Sequence, residues 1–156
     1  MRRAALLLGA MATACGGAAD GAPREVARAG AMRVAAPFAY APRDSVAGAL
    51  YLVLTHEGPG ADTLDAVRVD GVREVVLHAS DAAMAAGAAP AGPLAVIDAA
   101  TPLALRPGGA HLMLLGLARL PAAGGAWDVT LTFRRAGPLR LTVPVLAYGD
   151  PTPLDD

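Results

Sequence analysis

The stretch "AWDVTLTFRRAGPLRLTVPVLAYG", residues 126–149, decides the fold class. Within Trp127–Phe133, and again within Leu139–Val143, apolar and polar residues trade places at every step. A period of two sends alternate side chains to opposite faces of an extended chain, which is the mark of a half-buried β-strand rather than a helix. The same texture runs upstream. Short apolar runs such as "MRVAAPFAYAP" (32–42), "GALYLVLTHEGPG" (48–60), "DTLDAVRVDG" (62–71), "REVVLHAS" (73–80) and "AHLMLLGLARL" (110–120) are divided by Gly and Pro. Seven to nine short strands at this spacing predict an all-β sandwich or barrel. The segment "SDAAMAAGAA" (80–89) is predicted as one helical turn or a loop, because Ala favours helix while Gly87 and Pro90 limit it.

The composition narrows the function. Of 156 residues 54% are hydrophobic, enough for one core, although many are Ala. Every basic side chain is Arg, and 13 Arg face 14 acidic residues, so no basic surface suggests a nucleic-acid partner. The first fifteen residues, "MRRAALLLGAMATAC", place two Arg before a short apolar run and end on small residues and Cys15. That is the plan of a secretory signal, too short for a permanent membrane span. Ala-Thr-Ala-Cys resembles the lipobox of bacterial lipoproteins, with Ala12 where Leu is usual; an ordinary signal cleaved nearby is the alternative. The resemblance implies an exported periplasmic or cell-envelope lipoprotein, held to the membrane only through a lipid on Cys15. Loss of Arg2 and Arg3 then leaves 11 Arg against 14 acids, a net charge of −3. The organisation expected is a signal over 1–15, a small-residue tether over 16–30, one domain over 31–148 and a short tail over 149–156.

Few residues can do chemistry. Two Ser occur, Ser45 and Ser80, and neither lies in a nucleophile elbow. Ser80, His78 and Asp81 are close in sequence, and such neighbours rarely assemble into a triad. Catalysis finds no constellation here, and a non-enzyme is expected. Beyond Cys15 the remaining soft donors are His56, His78, His111, Met32, Met84 and Met113. Imidazole with thioether selects copper, and a neutral, sulfur-bearing set favours Cu(I). Outside the cytoplasm a thioether also escapes the disulfide formation that removes thiolates. A ligand His must be deprotonated to bind. In "RPGGAHLMLLGL" (106–117), His111 and Met113 sit two apart and so share one strand face. Taken alone the pair leaves both a packed core and a metal site open.

The arrangement resembles a known family, the periplasmic copper chaperones with a PCu(A)C domain. Similarity runs from about Val34 to Val145. "AGALYLVLTHEG" is similar to the family's early strand, with Thr-His-Glu-Gly in place of an Asn-Asn-Gly turn. "LRPGGAHLMLLGL" is similar to its signature Lys-Pro-Gly-Gly-x-His-x-Met-x-x-Gly-Leu, and "VTLTFRRAGPLRLTVPV" to its closing hairpin. The resemblance implies a cupredoxin-like Greek-key β-barrel that binds Cu(I) through a His, ten residues, a Met, twenty-one residues, and His-x-Met. Carried onto this chain, the first His is His78 and the final pair is His111 and Met113. The middle Met falls on Ala89, and Met84 lies five residues earlier. Three readings follow: a full site with Met84 as relocated ligand, a three-donor site without it, or a retained fold that has lost copper. His56 is expected to be solvated in its turn. The family further implies a carrier that hands copper to the dinuclear site of cytochrome c oxidase subunit II, with Sco-type proteins as partners. The alternative is a lipid-anchored interaction module of the same fold without metal.

Overall fold

The alternating stretch folds as two antiparallel strands in a computed structural model that describes residues 24–78 and 93–155. Among these residues there are ten strands and no α-helix. They are β1 (Glu25–Ala29), β2 (Met32–Tyr40), β3 (Ala47–His56), β4 (Ala61–Val69), β5 (Val72–His78), β6 (Ala95–Asp98), β7 (Leu103–Leu105), β8 (His111–Leu117), β9 (Ala126–Phe133) and β10 (Gly137–Leu146). Two of them explain why ten exceeds the predicted seven to nine. β7 has only three residues, and β1, "EVARA", lies inside the stretch read as tether. Its five residues are too few and too mixed to show an apolar period, but the open edge of β2 offers it a partner, with Glu25 opposite Ala35 and Ala29 opposite Met32. Arg33 fastens the pair through ion pairs to Glu25 and Glu57. The segment 80–89 lies outside the described residues, as do Cys15 and Met84.

Strand order along the curled sheet is β5-β8-β3-β2-β10-β9-β4-β6, with β1 added to β2 and β7 to β3. β10 carries the sheet round. It pairs antiparallel with β9 from end to end, and then meets β2 in parallel through Val145 and Leu146 opposite Ala39 and Tyr40. The chain also crosses between the two layers at Asp70–Gly71, since β4 pairs with β9 and β6 while β5 pairs with β8. Gly71 has φ 75°, and a Cβ there would lie 2.6 Å from Cγ of Arg119, so the crossing requires glycine.

The alternation in β9 translates directly into burial. Trp127, Val129, Leu131 and Phe133 fill the interior, and the Thr and Asp residues between them face outward. Leu50, Leu52 and Leu54 of β3 and Leu112 and Leu114 of β8 meet them from the other layer. Each such fully buried side chain contributes about 1.5–3 kcal/mol of transfer free energy. The hairpin between β9 and β10 is clamped from β4. Asp62 is buried, and its carboxylate accepts backbone N–H groups of Thr63 (2.7 Å), Arg135 (2.9 Å) and Ala136 (2.8 Å). Burial pushes this carboxyl up, but the three donors outweigh that effect and hold it below the usual carboxylate range.

β2 breaks its own alternation, and the break shapes the surface beside β8. Met32 and Val34 point into the core. Pro37 has no N–H to give to the ladder. The register slips between Ala35 and Phe38, and Ala36 adopts φ 47°. After this bulge Ala39 points inward opposite Leu50, whereas Phe38 emerges on the outer face opposite Tyr51. A bulge inserts one residue and so exchanges the two faces of the strand.

Candidate metal centre

The signature turn is built first by its local sequence. Pro107 and Gly108 occupy the central positions of a turn in which the Gly109 N–H donates to the Arg106 carbonyl at 3.0 Å. Gly108 has φ 76°, the positive value that the third residue of a type II turn demands. The Arg106 N–H donates to the Ala110 carbonyl at 2.9 Å and closes the loop, from which β8 starts at His111. The Gly109 carbonyl lies 2.9 Å from Nδ1 of His111. A carbonyl can only accept, so Nδ1 carries the proton and the neutral ring keeps its Nε2 lone pair free. Metal-ligating histidines are oriented in this way.

β5 brings the second imidazole. Its register on β8 sets Val76 opposite Met113 and His78 opposite His111. Opposite residues share a face, so His78, His111 and Met113 all stand on the outer side of the sheet, while Leu112 and Leu114 enter the core. The two imidazoles stack with centroids 4.9 Å apart and planes inclined by 22°. Met113 is the diagonal neighbour of His78, a spacing of about 7 Å that a long side chain spans. All three are half-buried, accessible yet held. Among the described residues no three His, Cys, Asp or Glu side chains gather, so the donors here are two imidazoles and one thioether.

An aromatic wall adjoins the pair. Tyr51 lies 6.1 Å from His111, Phe38 stacks on Tyr51 at 4.9 Å, and Tyr40 meets Tyr51 at 5.9 Å. Tyr148 stacks on Tyr40 at 4.5 Å beneath the guanidinium of Arg43. Burial, and then the neighbouring phenols of Tyr148 and Tyr40, push the Tyr51 phenol up, so it stays neutral. No local pattern marked this wall, because β2 had to bulge before Phe38 could join it.

His56 corrects the reading of a solvated turn. It is buried at the end of β3, where its Nδ1 accepts the Gly58 N–H at 3.3 Å, and its proton therefore sits on Nε2. It stands five residues along β3 from Tyr51, about 17 Å away along the strand. Met32 is wholly buried core. Met84 and Ala89 lie outside the described residues, as do Ser80 and Asp81.

Residues 27–145 match a family described as "Putative lipoprotein LpqE-like". Among curated proteins none gives a significant sequence match. Solved structures do. The apo PCuAC domain from PmoF1 superposes with a TM-score of 0.68 at 26% identity, over 80% of this chain and 99% of that one. The copper-bound PCuAC domain from PmoF2 gives 0.66 at 22% identity, over 80% and 98%. The solution structure of apo-DR1885 from Deinococcus radiodurans gives 0.52 at 22% identity, over 96% of each chain. The all-β, cupredoxin-like fold expected from the sequence is thus the fold observed. The chain belongs to the LpqE-like family, and its domain is of the PCuAC type.

Proposed function

We propose that this protein is an extracytoplasmic copper carrier that binds Cu(I) through His78, His111 and Met113. The observation that carries this reading is the stacked imidazole pair, 4.9 Å apart on an outer sheet face, with one Nδ1 tied to a backbone carbonyl. The copper-bound relative of the same fold supports it. Two neutral nitrogens and a thioether suit a soft monovalent ion. An open sheet face suits transfer, since a recipient's ligands can approach while these still hold the ion. Met84 supplies the fourth donor in place of the sulfur missing at Ala89. Lipid on Cys15 keeps the carrier at the cell envelope, a reading supported by the Ala-Thr-Ala-Cys segment and the family's description. The recipient fits the dinuclear copper site of cytochrome c oxidase subunit II, with Sco-type proteins as co-workers. Nothing in this role calls for catalysis.

Titration of the mature domain with Cu(I) under reducing conditions, against a chromophoric chelator, tests the reading. One equivalent bound per chain is expected, with weaker binding in Met84→Ala. A folded domain that never competes with the chelator contradicts it, and leaves a metal-free interaction module of the same fold. That second reading is favoured by Ala89, where the family pattern expects a methionine. Mass spectrometry of the native N-terminus tests the anchor: an unmodified start downstream of Cys15 excludes it.

A further inference from the structure

A single hydrogen bond leaves the His111 ring free to pivot about it, and something must hold its plane. One side of the ring is occupied by His78. The other is met by Tyr51, whose centroid lies 6.1 Å away at an inclination of 50°. Register explains the contact. Leu50 of β3 pairs with Leu112 of β8, so the next step along both strands brings Tyr51 level with His111 on the outer face. Tyr51 is itself immobilised. It is buried to 8% exposure on an outer sheet face, where solvated residues are the norm, and Phe38 stacks behind it at 4.9 Å and 30° with no exposure at all. Phe38 reaches this place only because β2 bulges at Ala36–Pro37, with a non-glycine residue at φ 47°. Backbone in the left-handed region is strained for an L-residue, because its Cβ crowds the neighbouring carbonyl oxygen. Local strain of this kind clusters where a fold positions a functional group.

We propose that Tyr51 is a positioning residue for the metal centre: backed by Phe38, it fixes the plane of the His111 imidazole so that the free Nε2 is aimed beside His78 before any ion arrives. This rests on the Cu(I) reading above. Tyr51 touches the ligand and not the ion, and its ring rather than its hydroxyl does the positioning. The cradle for His111 then has three sides: the Gly109 carbonyl, the His78 ring and the Tyr51 ring. The strained turn in β2 is part of the same device, although it lies two strands away.

The test compares Tyr51→Leu with Tyr51→Phe and Phe38→Leu, each checked for folding by circular dichroism. Two quantities are read: Cu(I) affinity by chelator competition, and the tautomer of His111 in the copper-free domain from its ring nitrogen shifts by NMR. In the wild type the Nδ1-protonated form should dominate. Tyr51→Leu should lower affinity by about tenfold, the lower end of the effect typical of partners that orient metal ligands, and should mix the tautomers. Tyr51→Phe should restore both to wild-type values. Phe38→Leu should shift both in the same direction as Tyr51→Leu but less, and serves as the decisive variant if Tyr51→Leu does not fold. A folded Tyr51→Leu or Phe38→Leu protein with unchanged affinity and tautomer overturns the proposal. So does a Tyr51→Phe protein as impaired as Tyr51→Leu. If the wild type itself binds no Cu(I) while its His111 tautomer responds as stated, the positioning stands and the copper reading falls.

Discussion

Two of the three histidines of the domain separate by what their nitrogens do. His111 donates from Nδ1 to the Gly109 carbonyl and offers Nε2, on a half-exposed face beside a second imidazole. His56 accepts at Nδ1 from the Gly58 N–H and is buried. Only the first arrangement presents a lone pair where an ion can reach it. His111→Ala should therefore weaken Cu(I) binding by more than the roughly 10–100-fold loss that follows removal of an outer-shell partner. His56→Ala should leave affinity within about twofold, while its buried position costs about 1–2 kcal/mol in stability by denaturant unfolding. Equal loss of affinity in both variants contradicts the assignment. The shared face of His111 and Met113 was legible from their spacing of two, because strand geometry alone dictates it. The approach of His78 was not, since cross-strand register is set by packing. It came only through likeness to a known pattern. The burial of His56 was missed because Thr-His-Glu-Gly reads as a turn, and nothing local tells that β3 extends to His56.

Two devices at the scale of elements hold the frame around the centre. Asp62 ties β4 to the β9–β10 hairpin through three backbone donors. Its carboxyl is held below the usual range, so the stability it provides is complete above the unfolded carboxylate pKa. That stability is lost as pH falls through the lower folded value. Asp62→Asn should cost about 2 kcal/mol at neutral pH and should flatten the acid side of the stability profile, as read by urea unfolding across pH. An unchanged acid limb speaks against the clamp. The bulge in β2 is the second device. Ala36→Val places a β-branched side chain at φ 47° in a buried site, and should destabilise by about 2 kcal/mol, whereas Ala36→Gly should stay close to wild type. Melting temperatures of the two variants check this, and equal values contradict it. The alternation of β9 and β10 was plain from the sequence, since each strand keeps one face dry along its length. The bulge was hidden: "VAAPFAY" carries no polar residue to mark where the faces exchange.

Taken whole, the molecule is a curled sheet with its core between two layers and its candidate donors on the outer surface of one of them. Fold and site are therefore separable. The core lies between the layers, and the candidate donors among the described residues stand only on β5 and β8. Binding to the folded form alone should then raise stability by mass action, by about 2.7 kcal/mol at a free Cu(I) concentration one hundred times Kd. Unfolding monitored with and without Cu(I) should show this gain in the wild type and lose it in His78→Ala, whose copper-free stability should match the wild type. The all-β class was readable because many strands carry the same period. The strand at Glu25–Ala29 was not, because β1 is defined by the edge it fills and not by its own residues. X-ray absorption at the copper edge of the Cu(I)-loaded domain reads the donor atoms themselves. Two imidazole nitrogens with thioether sulfur are expected in the first coordination sphere, with loss of one imidazole in His78→Ala. A sphere with fewer than two imidazoles, or without sulfur, contradicts the proposed site.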